Sequence, residues 1–86
     1  MSGQGEEARP VGRALHVAHS GALIVKLQRP VPVGAVLVDE RGRPVGRVTS
    51  LLGPVASPYA SVRVMTDRVK RVLGKYLYLK PGLAQG

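Results

Sequence analysis

Residues 46–59 read GRVTSLLGPVASPY and place a stiff connection between two strand-like runs. The first run, 45–52, stops at Gly53 and Pro54, and the second begins immediately after Pro58. Glycine adopts backbone angles that other residues avoid, while proline fixes φ and removes a hydrogen-bond donor. We therefore expect a rigid, exposed loop, and loops of this kind often carry binding function. An ordinary proline-stiffened loop is the alternative interpretation of the same residues.

The rest of the chain alternates between valine-rich runs and turns that contain glycine or proline. This pattern predicts six short strands, at 11–18, 22–27, 36–39, 45–52, 59–64 and 76–79. In the fifth strand, Ala60, Val62 and Val64 share one face. We expect an all-β fold, a small closed six-stranded antiparallel barrel of the kind found in translation factors, because closure removes exposed strand edges.

One segment departs from the strand pattern. Residues 67–73 allow a short helical segment of one or two turns, with Asp67 as its N-cap. Val69, Val72 and Leu73 would then face the same way.

Length and composition limit the domain organisation. The 86 residues support one domain with a small core. We expect a flexible leader at 1–10, a single β-barrel domain at 11–80 and a flexible tail at 81–86. The core must be aliphatic, because Phe and Trp are absent and only three Tyr are present. No run approaches the roughly 20 apolar residues of a membrane span, so we expect a cytoplasmic protein with no membrane partner.

The charge is strongly basic. The chain has 13 Lys and Arg residues and 5 Asp and Glu residues, which gives a formal net charge of +8. A basic domain is a candidate for contact with nucleic acid. A solubilising surface of a heat-adapted protein, or a surface neutralised by an acidic partner, is an equally good interpretation. The basic residues near the C-terminus are our candidates for RNA contact: Arg68, Lys70, Arg71 and Lys75.

The chain has few residues suited to catalysis. Asp39 and Glu40 are neighbours at a strand end, so their side chains point to opposite faces and make a poor acid–base pair. His16 and His19 have a spacing seen in some metal sites, but zinc needs further ligands and the chain has no Cys. We expect no catalytic residues, no metal, no cofactor and no enzymatic activity of the protein alone.

Several short motifs occur in a recognisable order. They are VLVD at 36–39, RGRP at 41–44, VG at 45–46, GPV at 53–55, PY at 58–59 and GKYLYL at 74–79. In this order and spacing, the chain resembles the small β-barrel subunit of archaeal box H/ACA RNA-guided pseudouridine synthase particles, over about residues 11–80. That family is the archaeal counterpart of the eukaryotic glycine–arginine-rich nucleolar protein.

The resemblance implies a non-catalytic accessory subunit. It implies docking on the dyskerin-like catalytic subunit, a mainly indirect relation to the guide RNA, and an effect on how substrate RNA is placed and released during rRNA pseudouridylation. The docking residues that we infer are Gly53, Pro54, Val55, Pro58 and Tyr59.

The chain departs from the family pattern at three places. Ser50 stands where the family commonly has an acid, which puts an ion pair at that place in doubt. Leu52 stands where the family commonly has phenylalanine, so an apolar contact can survive with a smaller side chain. The glycine–arginine-rich tails of the eukaryotic relatives are absent.

Direct RNA binding is the rival hypothesis. Small OB-like and Sm-like barrels bind single strands by stacking bases on aromatic side chains along a basic groove. Tyr76 and Tyr78 would share one face of the last strand and could form such a platform. We favour the simpler expectation that these tyrosines complete the aliphatic core, with their hydroxyls at its rim.

Overall fold

The computed structural model describes residues 9–56 and 58–80, which form an all-β barrel. Its six strands and one 3₁₀ turn are β1 (Pro10–Val17), β2 (Leu23–Leu27), β3 (Val36–Val38), β4 (Pro44–Leu52), β5 (Tyr59–Val64), η1 (Val69–Val72) and β6 (Tyr76–Leu79). The predicted fold class is confirmed, and predicted strand ends differ from these by at most one residue. The predicted leader up to residue 8 and the predicted tail, 81–86, lie outside the described residues.

The strands close into one antiparallel barrel in the order β1-β2-β5-β4-β3-β6. Consecutive strands β3, β4 and β5 are hydrogen-bonded neighbours, and β6 returns to lie beside β3. This is the Greek-key arrangement. The short strand β6 completes the closure, because it pairs with β1 on one side and with β3 on the other.

The core is wholly aliphatic. Its largest fully buried side chains are Leu23, Leu27, Leu37, Leu77, Val25, Val45, Val48 and Val62. Among the described residues, no polar or charged side chain is buried. Val72 belongs to this core, and Val69 and Leu73 pack against it. The three side chains therefore lie on the same side, as their spacing predicted. Within residues 9–56 and 58–80, no helix is long and apolar enough to cross a membrane.

Two glycines allow the strands to approach closely. A Cβ built on Gly46 would lie 2.5 Å from the carbonyl oxygen of Arg63 and 2.5 Å from a Val62 methyl group. A Cβ on Gly12 would lie 2.7 Å from the carbonyl oxygen of Lys26. Side-chain carbons cannot come so near to backbone oxygens, so glycine is required at both places by packing.

Two expectations about side chains are wrong. Tyr76 is half exposed and Tyr78 only partly buried, while Leu77 between them is fully buried. Strand alternation therefore sends both tyrosines outward, and leucine rather than tyrosine fills the core. Asp67 does not cap η1: the residue before the helix is Arg68, with no side-chain capping bond. The connection instead turns at Thr66, whose hydroxyl accepts a hydrogen bond from the backbone N–H of Arg68.

Val62→Ala should lower the free energy of unfolding by about 1–3 kcal/mol, because it removes two buried methyl groups and leaves a cavity. Val62 is fully buried, whereas Val55 is 96% exposed. Val55→Ala is therefore the matched control and should change stability by less than about 0.5 kcal/mol. Urea denaturation of the three proteins checks this. Equal effects of the two substitutions would contradict the assignment of Val62 to the core.

Gly46→Ala should destabilise the barrel by about 1–3 kcal/mol, because the new methyl group has no space between β4 and β5. Without that clash, replacing a glycine by alanine would reduce unfolded-state entropy and stabilise the protein by about 0.4–1 kcal/mol. Gly21→Ala is a useful comparison. Its Cβ would meet nothing within 4 Å, but its φ of 96° should cost about 1 kcal/mol in strain. A Gly46→Ala protein as stable as the wild type would refute the close approach.

Candidate interaction surfaces at the two ends of the barrel

The barrel presents two ends of different character. Because neighbouring strands are antiparallel, successive connections leave the barrel at alternate ends. The β4–β5 loop leaves at one end. The β3–β4 turn, 39–43, and the β5–β6 connection, 65–75, leave at the other. We call residues 51–55, 58 and 59 the loop surface. We call Arg41, Arg43, Arg68, Arg71 and Lys75 the basic cluster.

The loop surface is supported by an aromatic ring. Gly53 has φ of 86°, in the left-handed region that favours glycine. A Cβ at this position would lie 3.3 Å from Cδ1 of Tyr59, so the tyrosine ring covers the glycine backbone. Lys26 pairs with Tyr59 across the β2–β5 ladder and places its Nζ 4.7 Å from the ring centroid. The same Nζ donates a hydrogen bond of 3.5 Å to the tyrosine hydroxyl.

Apolar side chains project from this support. Val55 is 96% exposed, Leu52 49% and Leu51 41%. The carbonyl oxygen of Pro58 accepts a 3.0 Å hydrogen bond from the backbone N–H of Leu27, which ties the end of the loop to β2. An exposed valine at the tip of a tethered loop, with leucines beside it, has the composition of an interface centre.

A β-bulge sets the direction in which β4 enters the loop. The register with β5 shifts between Val48 and Ser50, and the hydroxyl of Thr49 donates a 3.0 Å hydrogen bond to the carbonyl oxygen of Ser61. Bulges bend a strand and redirect the side chains that follow. After the shift, Ser50 is exposed and Leu52 lies opposite Tyr59 in the ladder. Ser50 and Leu52, two of the departures noted in the sequence analysis, therefore lie at or beside the loop surface.

The basic cluster gathers most of the residues predicted to meet RNA. Arg71 lines two cavities, of about 230 Å³ and about 250 Å³. Lys75 and Arg41 line the first cavity, and Arg68 lines the second. The cavities adjoin, because both are also lined by Arg43 and Asp39. Lys70 is exposed on η1 but lines neither cavity.

Asp39 organises the turn beside this cluster. Its Oδ1 accepts hydrogen bonds from the backbone N–H groups of Arg41 and Arg43, at 2.8 and 2.9 Å. Its Oδ2 accepts a 3.1 Å bond from Nε of Arg43. Partial burial acts to raise the pKa of Asp39, but the hydrogen bonds from Arg43 and Arg41 outweigh it and lower the pKa. The carboxylate therefore has a structural task and makes a poor general base.

Tyr76 extends the basic cluster along the outside of the barrel. Its ring is 46% exposed and lines the first cavity. The Cζ of Arg13 lies 6.0 Å from the ring centroid, and Nε of Arg13 donates a 3.1 Å hydrogen bond to the carbonyl oxygen of Gly74. Tyr78 lies two residues further along β6 and does not line the cavity.

The histidines belong to neither of the two surfaces defined above. His16 and His19 are exposed on β1 and on the turn after it. Over 9–56 and 58–80, no group of three or more His, Cys, Asp or Glu side chains is placed to hold a metal ion.

Sequence reasoning missed four residues that contribute to these surfaces: Lys26, Arg13, Arg41 and Arg43. Arg41 and Arg43 had a detectable signal, since they flank Gly42 in a turn after Asp39. Lys26 and Arg13 had none. Their roles depend on cross-strand pairing with Tyr59 and Tyr76, which are distant in sequence.

The comparisons with known proteins are sparse. No family model matches the sequence. A protein of Methanothermobacter thermautotrophicus with the name "Uncharacterized protein" is 25% identical to this chain over 75 residues, which cover 83% of this chain and 82% of the relative. The chain thus has an archaeal relative of similar length, and that relative's name states no activity.

Asp39→Asn should weaken the barrel more at about pH 7 than at about pH 2. The folded-state pKa of Asp39 is lowered from its ordinary value of 3.8, so the carboxylate stabilises the fold above that value. This contribution is lost as the pH falls through the lowered pKa. Thermal melts of both proteins across this range test the prediction. A stability difference that is constant with pH would mean that the charge of Asp39 is irrelevant.

Proposed function

We propose that this protein is a non-catalytic accessory subunit of an archaeal H/ACA ribonucleoprotein. In this proposal the barrel docks on the dyskerin-like pseudouridine synthase through the loop surface. The observation that carries the proposal is the loop itself. The motif GPV followed by PY, on which the family resemblance depends, forms a tethered loop with Val55 almost fully exposed.

The geometry of the loop favours tight docking. Gly53, Pro54 and Pro58 limit the conformations that the free loop can adopt, so less entropy is lost on binding. Tyr59 is held between the Gly53 backbone and the Lys26 ammonium group. Tyrosine in such a half-buried position is typical of interface hot spots. The surrounding leucines would exclude water from the contact.

The consequence that we propose for RNA modification is the one that the family resemblance implies. A subunit that binds the catalytic domain can bias how a mobile loop of the synthase places and releases substrate RNA. Lid and release steps commonly limit turnover. We therefore infer an effect on multiple-turnover pseudouridylation, with single-turnover chemistry less affected.

Direct action on RNA as an OB-like or Sm-like barrel is the second candidate. The exposed ring of Tyr76 beside a basic cavity favours it. Co-purification with a dyskerin-like synthase in the absence of RNA separates the two candidates. Formation of a stable complex without RNA supports the accessory subunit. Failure to form it, combined with tight RNA binding by the isolated barrel, would favour the second candidate.

Val55→Asp should weaken the complex with the synthase by about 2 kcal/mol or more, because it places a charge in a desolvated apolar contact. Val55 is 96% exposed, so the free protein should remain as stable as the wild type. Met65→Asp is the control: Met65 is 52% exposed in the β5–β6 connection, at the other end of the barrel. Isothermal titration of the synthase with each variant gives the affinities.

Tyr59→Ala provides a second test of the same surface. If Tyr59 is a hot spot, the substitution should weaken binding to the synthase by about 2 kcal/mol or more. This change also removes the ring that covers Gly53, so the stability of the variant must be measured beside its affinity. A folded Val55→Ala, Tyr59→Ala double variant with unchanged affinity for the synthase would remove the loop from the interface.

A further inference from the structure

We propose that the basic cluster is a binding site for single-stranded RNA, on the end of the barrel opposite the loop surface. Arg41, Arg71 and Lys75 would contact phosphates, and Tyr76 would stack on one base. These four side chains line a single cavity of about 230 Å³. This inference does not depend on docking to a synthase.

The backbone beneath the site is firmly held. The N–H of Gly74 donates a 2.7 Å hydrogen bond to the carbonyl oxygen of Ala14, and the N–H of Ala14 donates a 2.9 Å bond to the carbonyl oxygen of Lys75. Val72, between Arg71 and these contacts, is buried in the core. The cationic side chains therefore project from a fixed frame, which reduces the entropy that is lost when they bind a ligand.

The positive charge is only partly neutralised within the protein. Four cationic and two carboxylate side chains line the first cavity, a local net charge of +2. One carboxylate, Asp39, is paired with Arg43 and with two backbone N–H groups of the turn. In residues 9–56 and 58–80, that pair is the one ion pair within 4.0 Å, so Arg41, Arg71 and Lys75 have no carboxylate partner there.

The aromatic ring favours RNA over an acidic protein surface. An acidic peptide would need only the charges, whereas a nucleic-acid strand also offers base faces to an exposed ring. Tyr76 presents such a ring at the cavity wall, with Arg13 beside it. Stacking on an aromatic side chain with phosphate contacts nearby is how proteins bind single strands without sequence preference. Arginine also presents paired donors that suit phosphate oxygens.

The position of the site permits two partners at once. The loop surface and the basic cluster lie at opposite ends of the barrel, because β4 and β5 each run from one to the other. A protein bound at Val55 would leave the cavity beside Tyr76 open. The barrel could then hold an RNA strand near whatever protein it docks on.

The experiment is a fluorescence-anisotropy titration of a labelled 12-nucleotide single-stranded RNA of mixed sequence, at several salt concentrations. Arg71→Gln with Lys75→Gln should weaken binding at least about tenfold and reduce the slope of log K against log salt by about 1.4, about 0.7 for each lost phosphate contact. Arg29→Gln with Lys80→Gln is the control. It removes the same charge from exposed residues at the opposite end and should change affinity less than twofold.

A separate variant tests the stacking of a base on Tyr76. Tyr76→Val replaces the ring by a β-branched side chain that also suits a strand, and should weaken RNA binding about tenfold, while binding of inorganic polyphosphate should be unchanged. If the Arg71→Gln, Lys75→Gln variant and the Arg29→Gln, Lys80→Gln control lose RNA affinity equally, only the overall charge matters, and the site is overturned. Equal competition by polyglutamate and RNA would overturn the assignment to nucleic acid. Absence of measurable RNA binding at about 50 mM salt would overturn the proposal as a whole.

A parallel measurement separates this inference from the proposed function. The Arg71→Gln, Lys75→Gln variant should still co-purify with the synthase in the absence of RNA, because its loop surface is intact. Loss of RNA binding with retained docking supports the site. Retained RNA binding refutes the site without affecting the docking proposal.

Discussion

The close approach of β4 to β5 at Gly46 is the contact on which the rest of the barrel depends. The core contains no Phe or Trp, so it must be filled by valine and leucine side chains that cannot span a wide interior. At Gly46 and at Gly12 the neighbouring strand lies so close that a Cβ would collide with its backbone. A small aliphatic set can then reach the dense packing of a protein core.

This pairing also determines where the two surfaces lie. The same ladder contains the β-bulge between Val48 and Ser50, after which β4 stays paired with β5 as far as Leu52, opposite Tyr59. At its other end, β5 leads into the connection that contains Arg68 and Arg71. Val72 anchors that connection in the core, and β6 then closes the barrel with Leu77. Core packing therefore orients both an apolar loop and a basic cavity.

The two surfaces differ in the physical force that each could supply to a partner. The loop surface offers apolar area on a backbone restricted by Gly53 and two prolines, which suits a stable protein contact with a small entropic penalty. The basic cluster offers positive charge around an exposed ring, which gives salt-dependent attraction to a polyanion. Separation at opposite ends of the barrel means that neither partner need displace the other.

The sequence by itself determined the strands, the stiff loop and the aliphatic core, because these depend on local periodicity and on backbone limits of glycine and proline. It also determined that 68–75 is basic, and three of the four predicted cations do line the cavities. Only the tertiary structure decided that Tyr76 and Tyr78 face outward, that Lys26 lies on Tyr59, and that Arg41 joins Arg71. Those facts depend on register and closure between strands far apart in sequence, and a one-residue shift in register reverses the face of every side chain.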